Sequence, residues 1–96
     1  MKMVMISYNE AIETEVMDSL ARCAIKNYTK ITNVYGSGLT SGTHLGNDVW
    51  PGKNSILYVA CEDKDARQLM SCIRESRKTL GREGVKAFLL PLEDMT

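Results

Sequence analysis

The sequence predicts an α+β domain: a four-stranded antiparallel sheet with both helices on one face and elements in the order β-α-β-β-α-β. Three observations predict it. Four short segments read as strands, and three of them, residues 2–8, 55–61 and 85–92, are apolar on both alternating sets. Two segments, residues 10–26 and 63–80, carry apolar residues at helical spacing. A glycine-dense loop, residues 36–54, joins the second strand to the third with no helix between them, so strand and helix alternate everywhere except in the middle.

The elements follow in order. Val4, Ile6 and Tyr8 form one set of the first strand and Met3 and Met5 the other, so both faces require cover. Asn9 offers a side-chain acceptor to the free N–H groups of a helix start, and Ile12, Val16, Leu20, Cys23 and Ala24 carry the helical pattern to about residue 26. Glu10, Glu13 and Glu15 near its start and Arg22 and Lys26 near its end suit the helix dipole. Asn27 is the expected left-handed stop, followed by a second strand over residues 29–35.

The third strand spans residues 55–61, and Asp63 or Asp65 is the expected cap of the second helix. Its inner face reads Ala66, Leu69, Met70, Ile73 and Leu80, its solvated face Arg67, Arg74, Arg77 and Lys78, and its stop Gly81. In the last strand Pro91 lacks an N–H and belongs at an edge or at a departure from the sheet. This order is the ferredoxin-like split βαβ arrangement, in one domain covering residues 1–96.

Composition narrows the function. Lys plus Arg and Asp plus Glu stand at 12 each, so no global basic field argues for nucleic acid. No apolar run reaches the 18 or more residues of a membrane span, and no secretory signal is seen, so a cytoplasmic protein is expected. Cys23, Cys61 and Cys72 show no CxxC spacing and read as small buried hydrophobes. No nucleophile stands beside a base and no carboxylates are paired by spacing, so an enzyme is not expected.

Right-handed crossovers put both helices on one face, which leaves the other face bare and largely apolar. A second copy of the chain is the expected cover, giving a closed homo-oligomer.

The chemistry is expected in the loop. It holds Gly36, Gly38, Gly42, Gly46 and Gly52 of the chain's seven glycines, with the only histidine, His44, and the only tryptophan, Trp50. Glycine at this density lets backbone N–H groups approach a ligand and form an anion nest, with Arg82 and Lys86 supplying positive charge or serving as ordinary surface residues. His44 has three readings: a small-molecule contact, an intersubunit metal or anion contact completed by symmetry, or a structural turn. Asp48, four residues on, is its one candidate metal-ligand partner within the loop. Trp50 before Pro51 is either a stacking surface for a ligand or partner, or a plug packing the loop.

The segment Thr32-Asn33-Val34-Tyr35-Gly36-Ser37-Gly38, the loop with Gly42 and His44, and the run from Glu83 through Gly84, Val85, Lys86 and Pro91 to Glu93 together resemble the nitrogen regulatory PII signalling proteins. The resemblance implies a homotrimer with its sheets forming a central barrel. It further implies a small effector, such as an adenine nucleotide, bound in clefts between subunits, and a regulated partner protein addressed through the loop. By position, Gly36 and Gly38 would lie against the nucleotide and Lys86 would contact its phosphates.

The loop is shorter than the usual T-loop and holds no tyrosine, so control by modification of a loop tyrosine is not expected. The C-terminal arginines of nucleotide-binding members have no counterpart up to Thr96, which leaves other effectors open. Thr43, His44, Trp50, Pro51 and Asn54 look more like PII-like proteins with a compact loop. Two alternatives stand beside this reading: a trimeric divalent-metal binder resembling the CutA type, with His44 and Asp48 as ligands, and a purely structural assembly module.

Overall fold

The computed structural model describes residues 1–36, 53–80 and 84–96. Strand β1 (Lys2–Asn9) leads through a 3-10 turn (Glu10–Ile12) into helix α1 (Glu13–Arg22); β2 (Thr29–Val34), β3 (Asn54–Cys61), helix α2 (Asp63–Leu80) and β4 (Val85–Pro91) follow. The strands form one antiparallel sheet in the order β2-β3-β1-β4, the ferredoxin-like arrangement. Pro91 accordingly sits at the end of an edge strand, where its missing N–H breaks no ladder.

Alternation along the strands sorts the two faces. Val4, Ile6 and Tyr8 of β1, Leu57 and Val59 of β3 and Val85 of β4 are buried against Val16 and Leu20 of α1 and Ala66, Leu69 and Ile73 of α2. Register places Met3, Met5, Ile56, Tyr58, Phe88, Leu90 and Ile31 on the other face. Among the described residues no helix packs there: Phe88 is 38 % exposed, Leu90 43 % and Ile31 45 %.

Asn9 caps as expected, its side chain accepting from the Ala11 N–H at 2.8 Å, though the first turn it caps is 3-10. The first helix ends at Arg22, four residues before the predicted position, and its stop is Ala24 (φ 56°), not Asn27. The Ala24 N–H donates to the Ala21 carbonyl at 3.0 Å and the Ile25 N–H to the Leu20 carbonyl at 2.9 Å, the two bonds of a Schellman closure. Burying Ile25 offsets the strain of a left-handed alanine, a gain that local propensity does not encode. Asn27 instead donates from its side chain to the Ala60 carbonyl at 2.9 Å. Ala24→Gly is expected to raise the unfolding free energy by about 1 kcal/mol, read from urea denaturation, because glycine takes this conformation without strain.

Two further expectations are corrected. The second helix begins at Asp63, so Asp63 and Asp65 both lie inside its first turn, and the Glu62 carbonyl receives the Ala66 N–H at 2.9 Å. Asp63 pairs instead with Arg67 at 3.0 Å, one turn on. Arg77, assigned to the solvated face, is half-buried with its Nε inside, whereas Arg67, Arg74 and Lys78 are exposed. Between Ile31 and Val34, β2 carries a bulge with Asn33 at φ 58°, which ends its regular pairing as the chain leaves the sheet. Gly81, the expected stop of the second helix, lies outside the described residues.

Candidate functional site

The candidate residues gather at one end of the sheet. Asn54 opens β3 opposite Asn9 of β1 and Val34 of β2, and Gly36 follows two residues after Val34. The Asn9 N–H donates to the Gly84 carbonyl at 2.9 Å and the Glu10 N–H to the Lys53 carbonyl at 2.7 Å, so three chain segments are tied together there. Lys86 lies one step down β4, opposite Ser7. By register, Asn54 and Lys86 belong to the face of the sheet that carries no helix.

Lys86 is exposed and forms no salt bridge among the described residues. Nothing lies within 4 Å of where a side chain on Gly36 would begin, and its φ is outside the left-handed region. Among the described residues neither packing nor backbone strain therefore demands glycine at that position. Gly38, Thr43, His44, Asp48, Trp50 and Arg82 lie outside the described residues. Among the described residues no three His, Cys, Asp or Glu side chains cluster as a metal site, and no helix is long and apolar enough to cross a membrane.

A polar network that sequence reasoning missed borders this end of the sheet. The Tyr8 hydroxyl, on a residue 2 % exposed, donates to Glu13 Oε1, and Lys30 Nζ lies 2.5 Å from Glu13 Oε2. The network ties β1, the start of α1 and β2 together. The Lys30 and Tyr8 hydrogen bonds hold the Glu13 carboxyl below its ordinary range. Burial, and then the Glu13 bond, push the Tyr8 phenol up. One signal could have found it: Lys30 stands opposite Leu57, on the helix-facing set, where a lysine needs an acceptor.

A shallow cleft lined by Met70, Ile73, Arg74, Arg77 and Ala87 lies on the helix side, between α2 and β4. Its volume of about 70 Å³ is far below that of a nucleotide-sized pocket, roughly 300 Å³ or more.

The family model for nitrogen regulatory protein P-II matches residues 1–96. Among solved structures, the PII-like protein CPII from Thiomonas intermedia K12, bound to ADP, AMP and bicarbonate, superposes with a TM-score of 0.73 at 16 % identity, covering 99 % of this chain and 92 % of that one. CPII bound to ADP and bicarbonate gives a TM-score of 0.68 at 20 % identity, over 92 % of this chain and 81 % of that one. A protein from Thermus thermophilus, described as PII-like in signalling, gives 0.59 at 19 % identity, over 92 % and 82 % of the two chains. At these identities the likeness is one of fold. No curated protein matches the chain.

Proposed function

The chain belongs to the nitrogen regulatory protein P-II family, and on that premise we propose that it is a non-catalytic, cytoplasmic effector sensor that works as a closed homotrimer. One observation carries the reading: Gly36, Asn54 and Lys86 come to one end of a sheet whose apolar face has no cover among the described residues. Bringing copies together through that face removes Phe88, Leu90, Ile31 and their neighbours from water. It also sets the Lys86 region of one copy beside the 36–54 segment of the next, which builds a cleft between copies.

The ligand is a small anion-bearing effector, with adenine nucleotides first among the candidates. The ADP, AMP and bicarbonate of the CPII structures support that choice. Gly36 supplies close backbone approach and Lys86 a phosphate contact, while Gly38, Thr43, His44, Trp50 and Arg82 complete the site from the adjoining segments. Occupancy reorders the 36–54 segment and so changes the surface offered to a regulated partner protein.

The test is thermal unfolding with ADP, AMP, ATP and bicarbonate, alone and combined. A ligand at 100 times its dissociation constant adds about 2.7 kcal/mol per site, a shift of several degrees for a domain of this size. Lys86→Ala and Gly36→Ala are expected to abolish the shift while leaving the ligand-free midpoint within about 2 °C, since neither side chain position is packed in the chain. An unmoved midpoint across the whole panel removes this ligand class.

A further inference from the structure

The helix layer, on the side of the sheet away from the open face, brings two thiols together. Ser19 Oγ of α1 lies 3.1 Å from Ser76 Oγ of α2, and one turn along Cys23 Sγ lies 2.8 Å from Cys72 Sγ. The two rungs share one register, residues 19 and 23 facing 76 and 72, so the helices run antiparallel and the sulfur contact is fixed by its neighbour. Small side chains at all four positions let the helices approach this closely.

Ser19 Oγ donates to the Glu15 carbonyl at 3.2 Å and Ser76 Oγ to the Cys72 carbonyl at 3.0 Å, which anchors the rungs to both backbones. The Schellman closure at Ala24 and Ile25 holds Cys23 where α1 ends. The sulfurs stand about 0.8 Å outside the bonded separation of about 2.05 Å.

We propose that Cys23 and Cys72 are a two-electron redox switch, closed to an intramolecular disulfide by a peroxide and reopened by a thiol reductant. Cys72 is half-buried, whereas Cys23 is buried and its thiol is pushed up to about 12, first by that burial and then by Cys72. Cys72 therefore reacts first. Its thiolate sulfur bonds to one peroxide oxygen, the O–O bond breaks, and the departing hydroxide takes a proton to become water, leaving a sulfenic acid.

The Cys23 sulfur then attacks the Cys72 sulfur and gives up its proton. The S–O bond breaks and the hydroxyl leaves with that proton as a second water. Two thiols and one peroxide become one disulfide and two waters, with two electrons passing from sulfur to oxygen. Cys61, buried at the end of β3, stays a thiol. The bond joins residues 49 apart and encloses β2, β3 and the first half of α2, so it restricts the unfolded chain and pins the two helices to each other. An assembly through the open sheet face leaves this layer outward, so the switch works whether or not the chain assembles.

The test oxidises the full chain with hydrogen peroxide, blocks remaining thiols with N-ethylmaleimide in denaturant, and maps the peptides. Expected are an intact mass lighter by two hydrogens, a linked peptide carrying Cys23 and Cys72, and alkylation of Cys61 alone. The thermal midpoint should rise by on the order of 10 °C and fall back with dithiothreitol. Cys61→Ser should keep the loss of two hydrogens, the linked peptide and the rise, with no cysteine left to alkylate, and Cys72→Ser or Cys72→Ala should lose the linked peptide and the rise. Three alkylated cysteines, a bridge through Cys61, a bond between two chains, a sulfinic acid at Cys72 without a bridge, or a bridge with no change of midpoint would each overturn the proposal.

Discussion

Phe88→Asp is expected to yield a folded monomer under conditions in which the unsubstituted chain sediments as one larger species. Phe88 stands opposite Met5, with Tyr58 beyond it on β3, and the next row is Leu90, Met3 and Ala60. These side chains form a continuous apolar surface across three strands, with Ile31 and Ile56 beside it. A carboxylate in that surface stays hydrated in the free chain and loses its water only on assembly. Burying an unpaired charge costs several kcal/mol per subunit, more than one phenyl group returns, and a closed ring incurs the cost in every copy. Sedimentation velocity reads the outcome, with circular dichroism as the control for folding. An unchanged sedimentation coefficient would mean that another surface assembles the protein.

The second large effect is expected at Glu13. Glu13→Leu should lower stability by about 2 kcal/mol, because the hydroxyl of Tyr8, a residue 2 % exposed, loses its charged acceptor. The Lys30 contact adds little. Both its side chains are about a third exposed, where ion pairs are worth about 0–1 kcal/mol. Glu13→Gln keeps an acceptor for Tyr8 and should therefore cost clearly less than Glu13→Leu in urea denaturation. Equal losses for the two variants would assign the effect to charge rather than to the buried hydroxyl.

The same pair sets pH limits on stability. Folding lowers the Glu13 pKa, so its contribution is present above the ordinary value of 4.5 and disappears as pH falls through the lower, folded value. Folding raises the Tyr8 pKa, so its contribution is complete below the ordinary value of 10.0 and is lost as pH rises beyond it toward the folded value. Glu13→Leu should flatten the acid limb and Tyr8→Phe the alkaline limb.

Much of the architecture was legible because it is written in short-range periodicity. Residues apolar on both alternating sets marked β1, β3 and β4, and recurrence at three and four residues marked the buried faces of α1 and α2, including Val16, Leu20, Ala66, Leu69 and Ile73. Asn9 was readable as a cap because its bond reaches only two residues along. The candidate site was legible in part. Register brings Gly36, Asn54 and Lys86 to one end of the sheet, while Gly38, Thr43, His44, Asp48, Trp50 and Arg82 lie outside the described residues.

By itself the sequence determined the order of elements, the two-faced apolar sheet and the placing of glycine between β2 and β3, because each follows from local spacing and backbone preference. Tertiary structure alone decided that Ala24, not Asn27, turns the chain out of α1, since the deciding gain is the burial of Ile25. It alone joined Tyr8 to Glu13 and Lys30, and Cys23 to Cys72. The physical reason is common to these cases. Each contact depends on the angle and distance at which separate elements pack, and no periodicity within one element carries that information.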